Sequence, residues 1–383
     1  MFTFKSENHK KILQIIRLHQ GISGAEMARM TGLQASTIGY IIQHLNDKGL
    51  IREKGLGNTT NKGGKKPLIW GINDSAAYLI GLEIVKSQIR GIVVGLAGEI
   101  ILRMEKDFYS IDRENIVEKS SHVILEMLQE SGLEKNKILS TCIAIPGIVD
   151  TTNSEIIMSN LLQIQNFKLS NHIYEQTGLE TYIVNDANAG ALGEQWYYQP
   201  QGNKPENIIY INFNQVSTDI GVGIIIRNRL YTGNYGTAGE IISAIPIYSE
   251  WIKEQKGSGK ITETGSSNPK MPGNFTLIDF YEAYKKGIQP EEQFFTRLNK
   301  YLTEEISRLI ALLNPDKIIF GGEITSCSGW LEKLLIPSIK KHLTTKSRIA
   351  IPLPEMKFSS FGIFSVALGA TGITLSKKLE TEY

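Results

Sequence analysis

One face of a predicted helix near the N terminus carries only small or hydrogen-bonding side chains. A helix from Gln34 to Lys48 has four apolar residues at helical spacing, namely Ile38, Ile41, Ile42 and Leu45. The opposite face consists of Gln34, Ala35, Ser36, Thr37, Gly39, Tyr40 and Gln43. Small side chains permit close approach to the major groove of DNA, and amides can pair with base edges there. The pattern predicts a DNA-reading helix, although the polar outer face of an ordinary three-helix bundle would look the same.

A basic, glycine-rich segment follows this helix. Residues 54–66 lie between two predicted strands, 50–53 and 67–70, and include Lys62, Lys65 and Lys66. Cations on a hairpin beside a reading helix can flank DNA phosphates or enter the minor groove. The order of helix, turn, helix and basic hairpin favours a DNA-binding wing over a plain flexible linker.

Two further helices are predicted to hold the reading helix in place. The spacing of the apolar residues indicates a helix over residues 9–20. Ser23 is predicted to cap a second helix through Met30, with Glu26 three residues later completing a capping box. Together with the hairpin, these helices define a predicted winged helix-turn-helix domain over residues 1–73.

The charge of the chain is unevenly distributed. Residues 1–73 contain eleven lysines and arginines against four acidic residues, a net charge of +7, whereas the remainder carries −5. A basic unit joined to a mildly acidic body is typical of a protein that meets a polyanion at one end, but chance clustering on a solvated surface gives the same count.

Composition excludes several classes of protein. The chain of 383 residues is 41% hydrophobic, and its longest apolar runs fall far short of the roughly 20 residues that cross a bilayer. Only two cysteines occur, and the N terminus lacks the apolar core of a secretory signal. We therefore expect a cytoplasmic protein with no membrane partner and no disulfide framework.

A pattern of three strands, a helix and a fourth strand occurs twice in the rest of the chain. The first copy comprises strands at 78–85, 89–96 and 99–104, a helix at 113–131 and a strand at 140–145. The second comprises strands at 207–213, 219–226 and 229–231, a helix at 291–313 and a strand at 317–320. Such a duplication predicts two lobes with a ligand cleft between them. Residues 254–273, rich in Gly, Ser, Lys and Thr, are predicted to form a mobile loop.

Three motifs of this body occur in a specific order. They are Ile145 to Asp150 (IPGIVD), Val184 to Glu194 (VNDANAGALGE) and Gly236 to Glu240 (GTAGE). With them the chain resembles the ROK family of repressors and sugar kinases from about residue 9 to its C terminus. The segment Gly63 to Pro67 is similar to the wing of the repressor branch, which includes xylose and N-acetylglucosamine repressors.

The resemblance implies an architecture for the whole chain. It implies a winged helix-turn-helix followed by a two-lobed α/β body with the actin-like ATPase fold of sugar kinases, a fold similar to ribonuclease H. The first lobe is expected over residues 74–190 and is completed by 365–383, and the second lobe is expected over 191–364.

The resemblance also implies a sugar site. In ROK kinases the aspartate of the Asn-Asp-Ala-Asn motif is the general base, and that position is Asp186 here. Asn185 and Glu240 match residues that bind sugar hydroxyls, and Asn160 resembles another residue near the sugar. A pocket that binds a sugar without reacting needs the same donors and acceptors, so these four residues do not separate an enzyme from a receptor.

Phosphoryl transfer needs glycine turns that hold nucleotide phosphates and a metal. The family's first phosphate loop resembles Asp-x-Gly-Gly-Thr, but this chain has Val85 and Lys86 at the glycine positions. In the second loop Asp219 stands where kinases have glycine, and its carboxylate would repel phosphate. The family's zinc-binding histidine and cysteine cluster also lack counterparts, and Ser243 replaces a histidine that commonly helps to hold sugar. We expect neither a cofactor nor a metal, and Asp186 is expected to be a vestigial base.

The sequence therefore predicts a transcription regulator of carbohydrate-utilisation genes, and repression is the favoured mode of action. Its expected partners are a double-stranded DNA operator and a sugar or sugar-phosphate effector, and a homodimer or dimer of dimers is expected because one helix in one groove gives little specificity. Two alternatives remain open at this level: a ROK-type sugar kinase with an added DNA-binding domain, and a regulator controlled by a protein partner.

Overall fold

The computed structural model describes residues 6–19, 21–57, 66–197, 205–214, 219–240, 242–257, 277–346 and 352–379. The chain begins with a small module of helices and a three-stranded antiparallel sheet. Its elements are α1 (Glu7–His19), β1 (Ile22–Ser23), α2 (Gly24–Thr31), α3 (Ala35–Asp47), β2 (Ile51–Leu56) and β3 (Leu68–Ile72). The apolar faces of α1 and α3 meet in one core, so the module is a winged helix-turn-helix.

Local chemistry explains how α2 begins. The Ser23 hydroxyl accepts a hydrogen bond from the Glu26 backbone N–H at 3.3 Å, and the Glu26 carboxylate accepts one from the Ser23 N–H at 2.9 Å. The predicted capping box is thus confirmed. Strand β1 was not predicted, because two residues are too few to show an alternating pattern; it pairs with β3 through Ile22 and Trp70.

The first lobe is built on a five-stranded sheet with a small three-stranded sheet beside it. Its elements are β4 (Tyr78–Val85), β5 (Gln88–Gly95), β6 (Ile100–Asp107), α4 (Ile116–Ser131), β7 (Ile138–Ile145), β8 (Ile148–Asp150), β9 (Glu155–Ser159), β10 (Ile164–Phe167), α5 (Leu169–Thr177) and β11 (Thr181–Asn185). In the large sheet the order is β11-β7-β4-β5-β6, with β4, β5 and β6 antiparallel and β7 and β11 parallel to β4.

The second lobe repeats this order. Its elements are α6 (Asp186–Tyr197), β12 (Ile208–Asn212), β13 (Asp219–Ile226), β14 (Arg229–Leu230), β15 (Ile242–Ser243), α7 (Ile245–Gly257), α8 (Leu277–Lys285), α9 (Gln289–Leu313), β16 (Lys317–Gly321), α10 (Ser328–Trp330), α11 (Ile336–Lys346) and β17 (Glu355–Phe358). Helix α12 (Ser365–Leu379) follows them in the chain. The sheet order is β14-β13-β12-β16-β17, with β15 paired to β13. Each sheet therefore contains the predicted strands and gains a parallel strand, β11 in the first and β17 in the second, and the second sheet also gains β15.

Two helices cross between the lobes. Helix α6 follows the last strand of the first sheet but packs against β12 and β13 of the second, whereas α12 follows the second sheet and packs against β4 and β7 of the first. The two helices also pack against each other. The first turn of α6 consequently lies where both sheets can reach it.

The start of the predicted mobile loop differs from the structure. Residues 254–257, expected to begin a mobile loop, are the last turn of α7, and the rest of that loop from 258 lies outside the described residues. The helix that begins upstream of residue 254 continues to Gly257, although the composition of residues 254–273 predicted a loop. Among the helices described, none combines the length and apolar character needed to cross a membrane.

Candidate functional site

A cavity of about 340 Å³ lies between the lobes. Its lining residues are Val85, Pro146, Gly147, Ile148, Met158, Asn160, Leu161, Asp186, Asn212, Asn214, Glu240, Ile242 and Ser243. These residues supply apolar faces together with carboxylates, amides and a hydroxyl, and none of them carries a positive charge. Such a lining can pair with the hydroxyls of a small polar ligand while its apolar faces contact the carbon skeleton.

Asp186 begins α6 and points into this cavity. Its carboxylate accepts hydrogen bonds from the Ala187 backbone N–H at 2.8 Å and from the Asn212 amide at 2.9 Å. Burial raises the pKa of Asp186 to about 7, and the carboxylates of Glu83 and Glu240 add to the shift. A carboxyl group that is half-protonated near neutral pH can either accept or donate a hydrogen bond to a ligand hydroxyl.

Asn160 and Glu240 line the same cavity from opposite lobes. Asn160 follows β9, and Glu240 follows the tight turn at Gly239. Gly239 has φ of 92°, and a side chain there would collide with the backbone carbonyl of Val222. The turn therefore requires glycine, and it brings the exposed Glu240 to the mouth of the cavity.

Asn185 does not line the cavity. Its amide donates to the Gly147 carbonyl at 3.0 Å, and its side-chain oxygen accepts from the Asn188 backbone N–H at 3.0 Å. These two bonds tie the first turn of α6 to the segment after β7. Asn185 thus fixes the backbone that carries Asp186, and the sequence motif could not separate this role from ligand contact.

Three polar lining residues were not among the predicted site residues. Asn212 and Asn214 come at the end of the buried strand β12, and Ser243, noted only as a replacement for histidine, ends β15. The side-chain oxygen of Asn212 is buried without a hydrogen-bond partner. Polar residues at the end of an apolar strand were the available signal for the two asparagines.

A buried charged cluster lies next to this cavity. Arg90 of β5, 3% exposed, contacts Glu83 of β4 at 3.5 Å and Glu323, from the other lobe, at 3.3 Å. Asn214 donates a hydrogen bond to Glu83 at 3.0 Å. Burial raises the pKa of Glu83, although Arg90 and Asn214 oppose the shift. The cluster connects the two lobes beside the predicted first phosphate loop.

Helix α3 exposes the predicted DNA-reading face. All seven residues of that face are exposed except Thr37, which is half-buried. Gln43 donates a hydrogen bond to Asp47 at 2.7 Å, and the Tyr40 ring lies 6.1 Å from the ring of His9 in α1. The polar surface is therefore available for contact with DNA, and the Tyr40 ring makes an edge-to-face contact with His9 of α1.

The wing is described only at its base. Strands β2 and β3 pair from Ile51 to Leu56, and the Gly57 N–H donates to the Pro67 carbonyl at 2.8 Å. Lys66 is exposed, whereas Lys62 and Lys65 lie outside the described residues.

Comparisons with known proteins extend these findings. A model of the ROK family matches residues 79–242 and 255–377, and a model of winged helix-turn-helix DNA-binding domains matches residues 5–52. The xylose repressor of Bacillus spizizenii is 32% identical over 241 residues, which are 62% of this chain and 60% of that protein. The chain thus spans about three fifths of the length of the first curated relatives that it matches.

Two similarities cover nearly the whole chain. The xylose repressor of Caldicellulosiruptor bescii is 29% identical over 98% of this chain and 97% of its own length. A solved ROK-family transcriptional regulator, a homologue of the Escherichia coli Mlc protein, has a TM-score of 0.72 and 20% identity over 97% of this chain and 96% of that one. The predicted fold, a winged helix-turn-helix joined to a two-lobed actin-like body, is confirmed. Because the family model covers most of its length, the chain belongs to the ROK family.

Proposed function

We propose that this chain is an operator-binding repressor of sugar-utilisation genes whose cleft binds an unphosphorylated sugar. The proposal is carried by one observation: the chain joins a winged helix with an exposed polar reading face to a body whose cleft is lined by carboxylates and amides. The relatives named xylose repressors support the same assignment and make a pentose the first sugar to test.

The charge of the cavity favours a neutral effector over a sugar phosphate. Asp186 and Glu240 bring carboxylates to the lining, and the described lining residues include no lysine, arginine or histidine. A phosphate about 4 Å from one carboxylate is repelled by about 4 kcal/mol at an effective dielectric constant near 20. Asn160, Asn212 and Asn214 offer amides that pair with sugar hydroxyls instead.

A sugar kinase is the second candidate, because a general base is most effective when its pKa is near the working pH and that of Asp186 is raised to about 7. The segment at the position of the first phosphate loop argues against kinase activity. Lys86 and Ser87 form the short connection between β4 and β5, and the buried Arg90 beside it is already engaged by three carboxylates. We propose that nucleotide binding is lost and that Asp186 serves ligand recognition.

DNA binding is assigned to the face of α3, with Lys62, Lys65 and Lys66 on the wing contacting phosphates. Gln34, Tyr40 and Gln43 are the side chains of this face that are long enough to reach base edges. A homodimer would place two reading helices on a near-palindromic operator, and sedimentation of the full-length protein with and without DNA measures that assembly.

The experiment begins with an operator isolated from genomic fragments by full-length protein. Fluorescence anisotropy then gives its affinity in the presence of xylose, glucose, other neutral sugars and their phosphates. We expect a neutral sugar to change operator affinity by about 5- to 150-fold and the phosphates to have no effect. An equal response to a sugar phosphate would contradict the assigned charge preference, and ADP release that Asp186→Asn abolishes would show that the kinase assignment is correct.

A further inference from the structure

Arg17 joins the DNA-binding module to the sugar-binding body. It lies on α1 and is only 8% exposed, with its guanidinium carbon 4.7 Å from the ring centroid of Trp196 and 5.2 Å from that of Tyr197. Its Nε is buried and has no hydrogen-bond partner. The faces of these two rings therefore stabilise a desolvated cation at the junction.

Trp196 and Tyr197 are the last two residues of α6, the helix that begins at Asp186. Twelve residues at 1.5 Å per residue make α6 about 18 Å long. One end of this helix thus lines the ligand cavity, and its other end holds the DNA-binding module.

The surroundings of α6 favour movement as a rigid rod. Residues 186–195 are all buried. A side chain at Gly193 would come within 2.9 Å of the backbone of α12 at Gly369, so the two helices touch without intervening side chains. Tyr197 is further linked to Thr371 of α12 by a 2.8 Å hydrogen bond. Tightly packed backbone cannot absorb a local displacement and passes it along the helix.

On the module side of the junction, helix α1, which carries Arg17, packs directly against the reading helix α3. Ile12, Leu13 and Ile16 of α1 are buried in the same core as Ile38 and Ile41 of α3. A cavity of about 340 Å³ beside Arg17, lined by residues of both the module and the body, leaves room for the module to turn.

We propose that Arg17, held between Trp196 and Tyr197, is the positioning residue that transmits occupancy of the cleft at Asp186 through α6 and α1 to the reading helix. The inference rests on the proposed function, since it describes how that cleft regulates DNA binding. Arg17 touches neither ligand nor DNA in this scheme, so its removal should break the coupling and spare both binding sites.

The test compares full-length wild type with Arg17→Met, which keeps an unbranched apolar side chain in the junction. Operator affinity is measured with and without xylose, and xylose affinity is measured separately by calorimetry. We expect the effector-induced change of about 5- to 150-fold to fall to within twofold, with xylose affinity unchanged. The matched control is Arg113→Met, because Arg113 lies 4.8 Å from the Phe167 ring within the first lobe; it should keep the full response. A full response in Arg17→Met would overturn the inference.

A second measurement separates this inference from the proposed function. Coupling is reciprocal, so operator binding alone must change hydrogen exchange of the amides of residues 186–197 in wild type and leave them unchanged in Arg17→Met. If no sugar acts on wild type, the proposed function fails, and the exchange result still decides the role of Arg17. If operator binding leaves hydrogen exchange of these amides unaltered in wild type, the inference about Arg17 is overturned. Should Arg17→Met not fold, Trp196→Leu removes the body side of the same contact and must uncouple in the same way.

Discussion

Asp186 should make the protein less stable as the pH rises to neutrality, and Asp186→Asn should remove that loss. Asp186 is 7% exposed, and burial raises the pKa of its carboxyl group to about 7 from an ordinary 3.8. An asparagine oxygen can still accept from the Ala187 N–H. The Asn212 amide, which donates to Asp186 in wild type, must rotate by about 180° so that its partnerless oxygen accepts from the new amide. The substitution therefore preserves the local geometry and removes the charge.

The sign and size of the effect follow from proton linkage. Between about pH 4 and about pH 7 the folded chain keeps the Asp186 proton that the unfolded chain has released. Unfolding then releases a proton, so the contribution of Asp186 to the stability of wild type falls as pH rises through this window and is constant above it. At about 1.4 kcal/mol per pH unit, the loss from pH 5 to pH 8 is about 3 kcal/mol, and Asp186→Asn should not show it.

Urea unfolding of both proteins at pH 5 and pH 8, followed by tryptophan fluorescence, measures this difference. The stability advantage of Asp186→Asn should grow by about 1 to 3 kcal/mol between the two pH values. Asp150→Asn is the control: hydrogen bonds from Asn153 lower the pKa of Asp150, so its effect should be the same at both. An Asp186→Asn advantage that does not change with pH would refute the raised pKa and the burial argument behind it.

Other substitutions test the DNA-binding module. Gly39→Ala adds a methyl group where nothing lies within 4 Å. It should stabilise α3 by about 1 kcal/mol yet weaken operator binding, which an anisotropy titration measures. Unchanged affinity would mean that α3 does not approach the groove closely. Neutralising Lys65 and Lys66 should weaken binding to every sequence and flatten its salt dependence, which titrations at several salt concentrations measure. Ser23→Ala removes the capping hydroxyl of α2 and should lower the free energy of unfolding by about 1 kcal/mol in urea titrations, whereas no loss would show that the capping box contributes little.

Much of the site could be predicted from the sequence, because its residues occur in short, local motifs. Asp186 and Glu240 occur in short motifs whose order identified the family, and both line the cavity. Asn185 was assigned to the ligand with them, yet it binds the Gly147 carbonyl. A motif gives the type and spacing of residues, but which of two adjacent side chains faces a cavity depends on how the strand and helix that carry them are packed.

The sequence by itself determined the winged helix, the duplicated lobes and their order along the chain, since apolar periodicity, caps and charge are properties of neighbouring residues. Only the tertiary structure decided that Arg90 and Glu323, 233 residues apart, would meet beside the cavity. It likewise decided that Arg17 would lie between two rings at the end of α6. Contacts of this kind depend on which sheets and helices become neighbours, and that follows from the burial of whole faces rather than from any short stretch of chain.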